Sequence, residues 1–97
     1  MLNSRQRAQL RGMANGLDPI FQIGKAGIGD QLIKQVGEAL EARELIKLTV
    51  LETSPQRPRE CADKVSEATG SDVVQVIGSK FILYKESTEH KTIVLCR

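Results

Sequence analysis

A chain of 97 residues, 40% of them hydrophobic and 27% charged, has the composition of an ordinary globular domain with one modest core, which argues against intrinsic disorder. No stretch approaches the ~18 consecutive apolar residues of a membrane span, and residues 1–20 lack the apolar centre of a secretory signal, so a cytoplasmic location is expected. The net charge of +2 conceals an asymmetry: residues 1–34 carry five basic groups against Asp18 and Asp30, and the remainder carries nine against ten. That places the positive excess at the front of the chain.

Ser4 can cap a first helix in which Leu10, Met13, Ala14 and Leu17 recur at helical spacing and form one apolar stripe. Arg7 and Arg11 then share a different face. The helix is expected to stop at Asp18-Pro19, because a residue before proline avoids the α region. Arg5, Arg7 and Arg11, with no acid among the first 17 residues, also fit a transit peptide. The same residues fit a domain helix, which is the reading favoured here.

Ile20, Phe21 and Ile23 form an apolar run ending at Gly24, too short for a helix and suited to a buried strand. After Gly24-Lys25-Ala26-Gly27, the residues Ile28, Leu32, Ile33, Val36, Ala39 and Leu40 predict a second helix over about 30–42. Between Leu45 and Leu51 the pattern alternates, with Ile46, Leu48 and Val50 on one face and Lys47 and Thr49 on the other, as in a half-buried strand. Pro58 suits the first turn of a third helix, about 58–69, with Cys61, Ala62, Val65 and Ala68 inward and Gly70 closing it. Val73 to Ile77 and Phe81 to Tyr84 read as a hairpin across Gly78-Ser79. Residues 86–90 read as polar linker, and Ile93 to Leu95 either add an edge strand or, as favoured here, lie against the body.

The order α-β-α-β-α-β-β predicts a single α/β domain over 1–97, a sandwich with a small mixed four-stranded sheet, a core over about 4–85 and a tail over 86–97. Cys61 and Cys96 have no partner at metal-ligand spacing and are expected to be reduced, inert thiols. No metal and no cofactor is expected. His90 has no Ser or Cys partner at motif spacing, so an enzyme is not expected either.

The Gly24–Gly27 loop lies between a strand and a helix, where unpaired N–H groups and the positive end of the helix dipole favour phosphate. Flanking glycines let backbone approach a phosphate, and Lys25 adds a mobile charge. Alone, G-x-x-G is weak evidence, since many such tetrapeptides are simple turns; in a basic α/β domain it is how KH-type modules clamp RNA backbone. Arg7, Arg11 and Lys34 are candidates to line the same approach. Glu38, Glu41 and Glu44 gather at the far end of the second helix, where they oppose its dipole and would repel nucleic acid. A solvated surface explains each of these charges individually. With only Phe21, Phe81 and Tyr84 as aromatics and no Trp, recognition by backbone and shape is expected over base stacking.

The segments Leu10-Arg11-Gly12-Met13-Ala14, Leu17-Asp18-Pro19 and Ile23-Gly24-Lys25-Ala26-Gly27 resemble the CRM domain, the RNA-binding module of the bacterial YhbY family and of plant organellar splicing factors. Ala39-Leu40, Glu44-Leu45-Ile46-Lys47, Val74-Gln75-Val76-Ile77-Gly78 and Leu83-Tyr84 are similar to the same family in order and spacing, so the resemblance spans about residues 5–85. It implies a fold like the C-terminal domain of translation initiation factor three and association, as an assembly factor, with ribosomal RNA in precursors of the large subunit. It also implies that Gly24, Lys25, Ala26 and Gly27 contact RNA. Many relatives have Thr where this chain has Gly29, and Arg where it has Lys85. The first difference leaves Asp30 as the expected cap, and the second keeps charge but loses bidentate geometry. A monomer is expected. A protein-interaction adaptor pairing through Ile93 to Leu95, a binder of intron or regulatory RNA, and a membrane-surface role for the basic first helix remain as alternatives.

Overall fold

The computed structural model describes residues 2–96. Its elements follow the expected order: α1 (Ser4–Ala14), β1 (Phe21–Ile23), α2 (Asp30–Arg43), β2 (Leu45–Val50), α3 (Pro58–Thr69), β3 (Asp72–Ile77) and β4 (Lys80–Tyr84). The four strands form one mixed sheet in the order β1-β2-β4-β3. β1 runs parallel to β2, whereas β4 is antiparallel to both β2 and β3. The hairpin strand β4 thereby fills the gap left between the parallel strands β2 and β3.

Alternation along the strands divides the core in two. Ile23, Ile46, Leu48, Val50, Phe81 and Leu83 face α2 and α3, where Val36, Leu40, Cys61, Ala62 and Val65 meet them. Leu45, Val74, Ile82 and Tyr84 point the other way and pack with Leu2, Leu10, Ala14 and Ile93. Helices therefore cover both faces of the sheet. Phe81, Leu48 and Leu83 are fully enclosed, and each such side chain contributes roughly 1.5–3 kcal/mol. A register shift between Val73 and Gln75 lets Val73 and Val76 join the first cluster while Val74 joins the second.

Several local expectations change. The cap of α1 is Asn3, one residue before Ser4: its side chain accepts the Gln6 N–H at 2.8 Å while Gln6 accepts the Asn3 N–H at 3.1 Å, a reciprocal capping box. The helix stops at Ala14, three residues short of Leu17, because Asn15-Gly16 turns the chain. Met13 is 44% exposed, since it lies on the flank of the helix and not on the stripe facing the sheet. Gly29, not Asp30, is the cap of α2, with no side-chain bond. Ala68 is exposed, and Ile20 stays outside the strand. Cys61 is buried, and that burial, the largest influence on it, raises its thiol pKa and keeps it protonated.

The chain after β4 forms no strand and lies against the body, as favoured above. Two carboxylates of α2 strap it down. Glu41 accepts the Ser87 hydroxyl, the Thr88 hydroxyl at 2.8 Å and the Thr88 N–H at 3.1 Å. Glu44, the residue that ends α2, accepts N–H groups from Ser87 at 2.9 Å, Thr92 at 2.7 Å and Ile93 at 2.9 Å. The reading of these two as solvated charges is thus corrected, because both carboxylates are engaged by N–H and hydroxyl donors of the same chain.

The Ser87 hydroxyl, with the Thr88 and Glu89 donors, holds the Glu41 carboxyl at about 2, against an ordinary 4.5. At Glu44 burial pushes the carboxyl up, but the bonds from Ser87, Ile93 and Thr92 together outweigh it and the net direction is down. Both groups ionise more readily in the folded than in the unfolded chain. The strap therefore contributes its full stability above the ordinary value of 4.5 and loses it as the pH falls toward 2,. Urea unfolding across that window is expected to show a decline in stability that is shallower in Glu41→Gln. Equal slopes for the two proteins would mean that Glu41 does not carry the linkage.

Candidate nucleic-acid interface

β1 ends at Ile23, paired with Val50 at the end of β2, so the following loop sits at the rim of the sheet. The Gly27 N–H donates to the Gly24 carbonyl at 2.9 Å and closes a turn whose tip, Lys25-Ala26, is exposed. Gly27 has φ +69°, and a Cβ there would lie 3.1 Å from Pro55 Cγ and 3.3 Å from Gln56 Oε1. Both the backbone conformation and the close approach of the 55–56 segment demand glycine. At Gly24 a Cβ would meet Leu51 Cδ1 at 3.4 Å and Thr53 Oγ1 at 3.6 Å, which are ordinary contacts.

Gly27→Ala is accordingly expected to cost roughly 1–3 kcal/mol, from left-handed backbone strain of about 1–2 kcal/mol plus the displaced proline. Gly24→Ala is expected to cost less than about 1 kcal/mol. Urea denaturation of the two variants side by side checks this ordering, and a reversed order would remove the steric account of the turn.

The loop leads straight into α2, whose cap Gly29 offers no side chain to the first-turn N–H groups. Those groups and the helix dipole mark this end for an anion. Lys34 is exposed one turn along, and Asp30 sets one carboxylate in the same first turn. Lys25 and Lys34 thus flank the helix start. Arg7 and Arg11 sit elsewhere, on α1, which covers the opposite face of the sheet through Leu10 and Ala14. Arg11 is exposed, whereas Arg7 is half-buried, and its Nε is enclosed with no hydrogen-bond partner among the described residues. The seven candidate residues therefore divide between the loop with α2 on one side and α1 on the other.

Pro55 and Gln56, which buttress Gly27, have no role in the sequence reading. Spacing alone could not assign them, since the contact joins segments that are far apart in the chain. Of the aromatics, Phe81 and Tyr84 are buried and Phe21, half-buried, packs at the edge of the first cluster, so no ring is fully exposed for a base to stack on. No described helix is long and apolar enough to cross a membrane.

The sequence model of the CRS1 / YhbY (CRM) domain matches residues 2–85. Among curated proteins, "Probable RNA-binding protein YqeI" of Bacillus subtilis is 47% identical over 95 residues, covering 98% of this chain and 99% of that protein. A Haemophilus influenzae protein named "RNA-binding protein" is 29% identical over 90 residues, covering 93% of this chain and 91% of its own length. The solution structure of a hypothetical protein from Staphylococcus aureus superposes with a TM-score of 0.82 at 50% identity, across 99% of this chain and 100% of that one. Matched along nearly its whole length in sequence and in fold, the chain belongs to the CRS1 / YhbY (CRM) domain family.

Proposed function

We propose that this protein binds RNA, and that its target is ribosomal RNA in precursors of the large ribosomal subunit, on which it acts as an assembly factor. The observation that carries the reading is the Gly24–Gly27 turn. It presents Lys25 to solvent at the rim of the sheet and runs into a helix start whose N–H groups no side chain caps. Phosphate is the ligand that such a combination of glycine backbone, lysine and helix dipole suits. The names of the Bacillus and Haemophilus relatives support RNA as the source of that phosphate.

With no ring fully exposed, the protein grips backbone and shape in preference to base identity. It works as a monomer in the cytoplasm, without a cofactor and without catalysis. The adaptor reading relied on Ile93 to Leu95 as a free edge. Ile93 is instead buried in the protein's own second cluster, which leaves the exposed Val94 as the apolar side chain that segment offers to a partner.

Crosslinking in cells, followed by sequencing of the attached RNA, tests both levels. Reads concentrated in large-subunit ribosomal RNA, in particles that sediment more slowly than the mature subunit, are the expected result. Reads spread over messenger or small regulatory RNA would remove the ribosomal assignment, and an absence of crosslinks would remove RNA binding itself.

A further inference from the structure

Half of the sheet's second face lies outside the apolar cluster that α1 covers, with Gln22 and Ile77 exposed and Lys47, Thr49 and Lys80 half-exposed. The pairing Gln22 to Thr49, Thr49 to Lys80 and Lys80 to Ile77 sets these four residues in one row across all four strands. Cross-strand partners share a face. Thr49 and Lys80 alternate with Leu48, Val50 and Phe81, which point into the first cluster, so the row lies on the face that α1 occupies. None of its members joins the second cluster, whose strand residues Leu45, Val74, Ile82 and Tyr84 gather toward the other end of the sheet. Ile77 is 55% exposed. Lys47 stands beside the row on the same face, a diagonal neighbour of Lys80 at roughly 7–8 Å or somewhat less between Cβ atoms,.

The orientation of α1 adds two more cations to this surface. Gln6 and Gln9 donate to the carbonyls of Cys96 and Val94 at 2.9 and 2.8 Å, so that flank of the helix faces the strapped tail. The tail lies at the end of the sheet where β2 begins, because Glu44 holds the N–H groups of Thr92 and Ile93. At about 100° per residue, Arg7 and Arg11 fall on the other side of the Leu10–Ala14 stripe, the side that looks toward the row. The tail thus fixes which edge of α1 is left to overlook the open sheet.

α1 and this end of the strands contribute charge of one sign, and Asp18, exposed in the connection between α1 and β1, is the nearest carboxylate in sequence. α1 contains no acidic residue. Among the strands the single carboxylate is Asp72, at the far end of β3 opposite Tyr84. Among the described residues, the ion pairs are Arg59 with Asp63 and Lys91 with Glu86, so Arg7, Arg11, Lys47 and Lys80 are unpaired. Arg7 is half-buried, with its Nε enclosed and without a hydrogen-bond partner among the described residues.

We propose that this half-face is a second RNA-contact surface. There Arg7, Arg11, Lys47 and Lys80 hold phosphates of the strand that continues past the Gly24–Gly27 loop, while Thr49 and Gln22 offer hydroxyl and amide groups to sugar 2′-hydroxyls. The proposal rests on the RNA-binding reading above and extends it from the rim of the sheet to its face. A surface rich in point charges and without an aromatic ring suits backbone over bases. Because β1 lies at the sheet edge beside β2, the loop that follows it and the row crossing it border one another.

The test is filter retention of in-vitro transcribed large-subunit ribosomal RNA by the full-length protein, over a range of potassium chloride concentrations. The comparison includes the double variant Lys47→Gln/Lys80→Gln, Lys25→Gln and, as a control, Lys64→Gln, an exposed lysine of α3. The double variant is expected to bind roughly tenfold more weakly. The slope of log affinity against log salt should become shallower by about 1.4, two contacts at roughly 0.7 each for a single strand. Its circular dichroism and melting temperature should match the wild type, and Lys64→Gln should bind as the wild type does.

Wild-type affinity and slope in the double variant, with Lys25→Gln still weakened, would overturn the second surface and leave the loop reading intact. A loss in Lys64→Gln as large as in the double variant would also overturn it, since the effect would then be one of net charge. A weakened double variant beside an unaffected Lys25→Gln would support the sheet face and refute the loop. Wild-type protein that retains no RNA at low salt takes both down.

Discussion

Replacing Glu44 with Ala is expected to lower the unfolding free energy by about 3–5 kcal/mol, a large share of the ~5–15 kcal/mol that stabilises a typical domain. The side chain is fully buried and receives three backbone N–H groups, from Ser87, Thr92 and Ile93, at 2.7–2.9 Å. Each buried donor left without a partner costs about 1–3 kcal/mol. Water can relieve part of that cost only if the tail lifts, and lifting exposes Ile93, which now packs with Leu2, Leu10 and Leu45. The residue also ends α2 at φ +65°, so Ala keeps the backbone strain while losing the bonds that offset it. Glu44→Gly should recover about 1 kcal/mol of the loss, because glycine accepts that conformation. Urea unfolding at neutral pH measures all three proteins. A cost below about 1 kcal/mol for Glu44→Ala would show that the strap contributes little and that the tail is held by Ile93 alone.

The strap also marks the boundary of what the sequence discloses. Where a residue's environment is set by its near neighbours, pattern was enough: Ile46, Leu48 and Val50 alternate into the first cluster, Pro58 opens α3, and Gly70 at φ +71° closes it. The hairpin across Gly78, at φ +55°, is likewise local chemistry. The Gly24–Gly27 turn was legible for the same reason, and it is exposed at its tip as a binding loop must be.

What was not legible depends on partners distant in the chain. Three glutamates near a helix C-terminus read as dipole opposition, because nothing in 38–44 announces that donors will arrive from 87–93. Gly27 read as a glycine that lets backbone approach a phosphate, and its contact with Pro55 and Gln56 emerges only when the 51–57 segment folds over the same rim. Met13 fits the period of the α1 stripe yet lies outward, since the stripe that meets the sheet is as narrow as Leu10 and Ala14. The arginines of α1 were grouped with the loop by nearness in sequence. The fold sets them across the sheet, overlooking Lys47 and Lys80, whose shared face required the β2–β4 register.

Lys25→Glu is expected to weaken RNA binding by at least tenfold at moderate salt, the largest functional effect of any single substitution proposed. Lys25 is exposed at the tip of the turn, so its replacement disturbs no packing, and stability should stay within about 0.5 kcal/mol of the wild type. The loss is electrostatic, and its components can be separated. Deleting one phosphate contact should make the salt slope shallower by about 0.7–0.9, which is the expected result for Lys25→Gln. Reversing the charge adds repulsion from a second carboxylate on the segment leading into α2, whose first turn already holds Asp30, opposing the anion that the helix start attracts. Glu should therefore bind more weakly than Gln at low salt and converge on it as salt screens the repulsion within a Debye length of about 10 Å at 0.1 M. Lys25→Arg should retain binding, since the charge and donors remain. Equal affinities for Glu and Gln at every salt concentration would mean that no phosphate lies at the tip of the turn, and the loop would then be a spacer between β1 and α2 with the contact made elsewhere.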